Sequence, residues 1–163
     1  MLVGAFRGAT PLAIGIVAAA LVAAALLIAT EFSTVASVDV ASGSCEVIHD
    51  TDPALADRCE LSGFERNGGS FVLVAALVVA MGVGAGLGGS RPAGVALMVI
   101  GAAVLLWALL VDLPVTDETG ALGESFEGAR GQAGSGLWLE VLAGVLALAA
   151  GGLRVVAPGT GEA

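Results

Sequence analysis

Residues 71–92 read FVLVAALVVAMGVGAGLGGSRP, and the reading of this stretch decides the fold. Gly84 to Gly89 spell G-x-G-x-x-G, the string that elsewhere cradles a dinucleotide pyrophosphate. That use requires a strand before the glycines and a helix opening after them, with backbone N–H groups presented to water and ligand. Here the upstream residues form an uninterrupted apolar run of membrane-span length, and Arg91-Pro92 introduces another apolar run. The glycines therefore close a helix and make a tight turn. They also recur four apart, as Gly82/Gly86 and Gly84/Gly88, the small-xxx-small spacing that lets two helix backbones approach closely. Gly15, Ala19 and Ala23, with Gly94/Gly101 and Gly144/Gly151 seven apart, supply matching small faces elsewhere.

The rest of the 163-residue chain agrees with a lipid solvent. It is 57% hydrophobic and 13% charged, with mean hydropathy +0.97, where soluble domains carry about a quarter charged residues. Long apolar stretches span residues 12–29, 71–87, 93–111 and 137–153, and Glu140 in the last is the one charge among them. At ~1.5 Å per residue each is about as long as a bilayer's hydrocarbon core is thick. Backbone groups in hydrocarbon must be satisfied internally, and the strand alternation of a closed barrel is absent. The expected fold is an all-α membrane protein, a four-transmembrane-helix bundle with a small disulfide-pinned extracytoplasmic loop domain. Its helices lie at about 12–30, 71–88, 93–111 and 137–156. Outer loops cover 31–70 and 112–136, an inner loop 89–92, and the chain is one membrane domain. An 18-residue first apolar run exceeds the roughly 7–15 of a cleaved signal sequence, so helix one is expected to remain.

Orientation follows from arginine placement. Arg7, Arg91 and Arg154 sit close to helix ends in short segments, whereas Arg58, Arg66 and Arg130 are diluted in long loops. This puts both termini in the cytoplasm. Fourteen of the fifteen acidic residues then fall outside, leaving that side 11 charges negative and the cytoplasmic side two positive. Every basic residue is Arg and the chain is rich in Ala, Gly, Val and Leu, a bias of GC-rich bacterial genomes; the expected location is a bacterial plasma membrane.

Cys45 and Cys59 both fall in the first outer loop, where a pair is most simply a disulfide closing about 15 residues. After helix one, Phe32, Thr34, Val35, Val38 and Val40 suit a strand or a continuing helix. Residues 53–61, PALADRCEL, read as a short helix ended by Ser62-Gly63, and residues 123–130 of the second loop as another. His49, Asp50, Asp52, Asp57 and Glu60 invite a metal reading, but the spacing of the histidine and cysteines matches no common zinc pattern and no EF-hand loop. No metal or cofactor is expected.

Three carboxylates flank the outer helix ends: Glu31, Asp112 and Glu140. An ionisable side chain inside a membrane helix costs about 2.5–3.5 kcal/mol at the centre, which makes these the candidate ion or partner site. With Trp138 beside it as an interfacial anchor, Glu140 is expected to reach outer water or to pair with Arg66 or Arg130. Disulfide-generating quinone reductases need close Cys-x-x-Cys pairs, and one histidine without Gly-x-Ser-x-Gly gives no hydrolase context. The acidic balance disfavours nucleic acid. Four spans with a larger first outer loop resemble claudins and similar tetraspan proteins in topology alone. GLW occurs at Gly136-Leu137-Trp138, away from both cysteines, and no Cys-Cys-Gly motif is present. The expectation is a non-enzymatic interaction or accessory subunit of a membrane assembly, its partners the lipid bilayer and another membrane protein or a second copy. A cation or proton transporter component is the alternative.

Overall fold

The computed structural model describes residues 9–39, 59–119 and 128–157. Four long helices dominate: α1 (Pro11–Glu31), α3 (Ser70–Gly86), α4 (Arg91–Trp107) and α6 (Ser135–Val156). Between them lie strands β1 (Thr34–Asp39), β2 (Glu60–Ser62) and β3 (Arg130–Ala133), the short helix α2 (Gly63–Asn67), a π-helical turn (Ala108–Asp112) and one turn of helix, α5 (Leu113–Val115). Three helical segments are long and apolar enough to cross a membrane: Pro11–Glu31, Arg91–Val115 and Ser135–Val156. The 17-residue Ser70–Gly86 is apolar but shorter. This is consistent with a multi-pass membrane protein.

Helix starts follow local chemistry. Thr10 Oγ1 accepts the Ala13 N–H at 3.2 Å with Pro11 in the first turn, and Ser90 Oγ accepts the Ala93 N–H at 3.3 Å ahead of Pro92. The bundle is built around α1 and α6, which pack on each other; α3 lies against α1 and α4 against α6, while α3 and α4 touch less. In lipid there is little hydrophobic drive for one helix to find another, so close packing must hold them. Small residues supply it. A Cβ on Gly101 would meet Leu148 N at 2.5 Å and Gly144 O at 2.8 Å, and one on Gly151 would meet Gly94 O at 2.5 Å. Thus α4 and α6 approach backbone to backbone at two pairs of facing glycines, Gly101/Gly144 and Gly94/Gly151. Gly82 sits against Ala20, and a Cβ on Gly86 would meet Val17 Cγ2 at 2.6 Å and Ala13 O at 2.8 Å, so this pair seats α3 on α1. Gly84 faces Ala93 across the α3–α4 turn, and Gly88 lies over the Gly84 carbonyl of its own helix end. Gly15, by contrast, has open space around it and packs on nothing.

The three strands form one antiparallel sheet, ordered β2-β1-β3, at a single end of the bundle. β1 follows α1 almost directly and β3 runs into α6, so the sheet ties two helix ends together. Its register pairs Ser37 with Glu60 on one side and Gln132 on the other, and β1 is irregular between Thr34 and Ala36. Val35 points into the bundle, buried with Ala108 and Leu137. At the opposite end Arg154 of α6 donates to the Gly89 carbonyl, fastening α6 to the α3–α4 turn.

Two expected short helices are corrected. The tail of the 53–61 helix, Glu60 and Leu61, is strand β2, and Ser62 begins a helix rather than ending one. Ser62-Gly63-Phe64-Glu65 is a capping box: Ser62 Oγ accepts the Glu65 N–H at 3.3 Å and Glu65 Oε2 accepts the Ser62 N–H at 3.0 Å. Arg130, expected to end a helix, starts β3, because β1 offers that backbone a ladder. Cys59 and Gly128 lie in turns rather than helix, while residues 53–58 and 123–127, with them Asp57, and also Cys45, His49, Asp50 and Asp52, lie outside the described residues.

The capping box gives a prediction. Hydrogen bonds from the Ser62 backbone N–H and then the Ser62 hydroxyl hold the Glu65 carboxyl below its ordinary value of 4.5. A depressed folded-state value means that stability is present above the unfolded value and is lost as pH falls through the folded one. Hydrogen exchange of the α2 amides should therefore accelerate as pH drops below about 4.5, after correction for intrinsic exchange. Ser62→Ala should remove about 1 kcal/mol of local protection at neutral pH. Protection of α2 unchanged in both tests would show that the box does not hold this helix.

Candidate functional site

All buried polar or charged side chains among the described residues, Thr30, Glu31, Asp112, Thr116 and Glu140, lie at the sheet-capped end. Helix phase explains two of them. On α1 the buried face runs Ile16, Ala20, Ala23, Leu27 and then Glu31, and on α6 Glu140 falls in line with Ala143, Ala147 and Ala150. Both carboxylates continue faces that the apolar residues have already turned inward.

Glu31 has a structural partner. Its Oε1 accepts the Phe71 N–H at 2.8 Å. The N-cap of α3 is Gly69, in the left-handed region at φ 80°, which has no side chain to offer. Glu31 therefore caps α3 from another helix, placing negative charge at the positive end of the helix dipole. Thr30 beside it donates to Leu26 O at 3.0 Å and reaches Gly136 O at 3.5 Å, joining α1 to the start of α6.

Asp112 is positioned by the π turn. Leu113 N–H bonds back five residues to Ala108 O, and Pro114 follows with no N–H of its own to continue an ordinary helix. Val104, Ala108 and Asp112, four residues apart, share one buried face. Arg66 Nε lies 3.0 Å from Asp112 Oδ1, and its Nη2 donates to Val111 O at 3.2 Å. Arg66 is held in place by α2, whose Gly63 sits so tightly on the Thr30 carbonyl that any side chain would collide with α1 backbone. Gly68, at φ 60°, then ends α2 in the left-handed turn that glycine adopts most easily.

Glu140 departs from its expected environment. Its side chain is 0% exposed, where an arm to outer water or an ion pair was expected, and Arg66 is bonded to Asp112 instead. Trp138, two residues earlier, is 65% exposed. The Glu140 carboxyl lies within hydrogen-bond reach of the Asp112 carboxyl. No donor among the described residues reaches Glu140 Oε1, Glu140 Oε2 or Asp112 Oδ2. Two carboxylates are both acceptors, so each leaves the other unsatisfied. The structure thus brings Asp112 and Glu140 together with Arg66 and sets Glu31 apart, at α3. Among the described residues no three His, Cys, Asp or Glu side chains are grouped to hold a metal ion.

Arg66 is the residue that sequence reasoning underweighted. Its signal was the capping box around it, which marks residues 63–67 as an ordered helix rather than loop. Cys59 is buried, its sulfur 3.3 Å from Val38 O, and its pairing with Cys45 lies outside the described residues. Between α3 and α4 a lateral groove of about 400 Å³ is lined by apolar side chains such as Phe71, Leu77, Ile100 and Trp107, with Ser70 the polar residue at its rim. It offers no chemistry. No protein-family model matches this chain, and no curated protein or solved structure matches it either.

Proposed function

We propose that this chain is a four-span protein of a bacterial plasma membrane, both termini cytoplasmic, that serves as an interaction or accessory subunit of a membrane assembly. In this reading α3 is the fourth span, the sheet and α2 form an acidic extracytoplasmic cap, and a Cys45–Cys59 disulfide pins that cap. The observation that carries the proposal is the polarity of the interior. Below the capped end, the buried faces of the described helices hold apolar and small side chains such as Ala20, Ala75, Leu97 and Ala147, packed at glycine crossings. A path for an ion across the membrane needs polar groups or water along its length. Among the described residues of a single copy the fully buried polar side chains lie at one end, which favours an adaptor over a conduit. The acidic cap suits basic partner surfaces.

Affinity purification in mild detergent, together with cation flux in proteoliposomes holding the chain alone, tests this. A stoichiometric membrane partner and no flux above empty vesicles are expected. A monodisperse homo-oligomer that conducts would overturn the proposal in favour of the second reading, a cation or proton transporter component. That reading draws its support from the buried Asp112–Glu140 contact.

A further inference from the structure

We infer that Asp112 and Glu140, with Arg66, form a one-sided binding site for a single monovalent cation, either a proton or an alkali-metal ion. Charge counting leads there. Two carboxylates and one guanidinium leave one negative charge, and both carboxylates are 0% exposed. A net charge buried without a partner is costly, so the site is completed by one unit of positive charge. The second, independent sign is Glu140 itself: wholly buried, in contact with Asp112, with no donor to either oxygen. A proton between the two carboxyls, or a small cation against the three donor-less oxygens, supplies the missing interaction. A divalent ion would over-neutralise the site, leaving one positive charge where one negative charge had been.

The capped end is the nearer side. Arg66, 30% exposed, covers Asp112 from α2, while deeper along α6 Ala143 and Ala147 are buried and Gly144 packs on α4 at Gly101 and Leu105. The charged groups facing the site are Arg66 from α2, Asp112 from the π turn and Glu140 from α6. Glu31 of α1 is turned to the Phe71 N–H, and Asp39 and Arg130 pair their backbones at the far end of the sheet. The site does not depend on the accessory role: copurification reads that role, and the measurement below reads the ion.

The test is the thermal unfolding midpoint of the full chain in detergent, at constant ionic strength, with sodium, potassium or choline chloride as probe and across pH. Infrared absorption of protonated carboxyl groups is recorded in parallel. In the wild type the midpoint should rise either with alkali-metal activity at fixed pH or with proton activity in choline, at a slope of one ion per molecule. A carboxyl band absent from Glu140→Gln identifies the proton as the occupant; a sodium or potassium response without that band identifies the metal. Glu140→Gln and Asp112→Asn each remove one negative charge, so both should lose the dependence. Arg66→Gln should raise the slope to two ions, and Arg66→Gln combined with Glu140→Gln should return it to one. The inference falls if the wild type and both neutralised variants respond alike. It also falls if Arg66→Gln leaves the slope unchanged, or if calcium or magnesium acts more strongly than the monovalent ions.

Discussion

Gly101→Leu is expected to cost about 3 kcal/mol or more of stability and to lower the unfolding midpoint in detergent, while Gly15→Leu leaves it unchanged or raises it. The first Cβ would fall 2.5 Å from Leu148 N and 2.8 Å from Gly144 O, both backbone atoms that cannot rotate away. Overpacking into a close-packed interior ordinarily costs ~1–3 kcal/mol, and a clash with backbone forces the helices themselves apart. At Gly15 a Cβ meets nothing within 4 Å, so the substitution adds only the roughly 1 kcal/mol by which leucine exceeds glycine in helix propensity. The paired design separates crossing from composition, since both variants place the same residue in an apolar helix. Equal midpoints would mean that α4 and α6 do not cross at Gly101 and Gly144. Gly86→Leu should fall on the costly side, through Val17 and the Ala13 carbonyl.

Arg66→Met should destabilise the chain by about 3 kcal/mol, the low end of the ~3–5 found when one partner of a buried ion pair is removed, because Arg66 is itself 30% exposed. Methionine keeps much of the aliphatic stem, so the loss reports the guanidinium. It leaves Asp112 and Glu140 facing each other without the guanidinium. Adding Asp112→Asn should recover most of the loss, with a coupling of at least ~1 kcal/mol in a double-mutant cycle of denaturation midpoints. Additive effects would show that Arg66 acts through its Val111 carbonyl contact and not through the carboxylate.

These two predictions draw on parts of the molecule that differ in how far they could be read from sequence. The glycine crossings were legible, because spacings of four and seven are a local property of a helix and lipid gives small residues a single dominant use. So were the helices: the apolar runs at 12–29, 71–87, 93–111 and 137–153 fall within α1, α3, α4 with its π turn, and α6, apart from Leu87 at the end of α3. Gly15 was misread because spacing does not say which of several small faces meets a partner. The sheet was mostly hidden. β1 could be suspected from its β-branched residues, but β2 and β3 are three and four residues long and exist because β1 lies between them. β1 and β3 are about a hundred residues apart, and no local pattern announces such a pairing.

Glu140 shows how the missing sheet misled the site. At one turn from its helix start it looked interfacial, and an uncapped helix would have left it so. The cap and the π turn cover it. Its phase with Ala143, Ala147 and Ala150 was nevertheless in the sequence, and periodicity outranked depth as a guide to burial here. Asp112 carried the same signal, since Leu97, Gly101, Val104, Ala108 and Asp112 recur three or four residues apart on one face; the π turn next to Pro114 did not.

The crowding of the described residues' fully buried polar side chains at one end has an electrical consequence. Glu140 is five residues into a 22-residue helix, so it lies ~8 Å along a cylinder ~33 Å long. In a bilayer a charge crossing the whole thickness does work of about 2.3 kcal/mol per 100 mV, and one arriving at this depth from the capped side does roughly a quarter of that, about 0.5 kcal/mol. Occupancy of the carboxylate pair would then follow the composition of the fluid bathing the cap and scarcely register the voltage across the membrane.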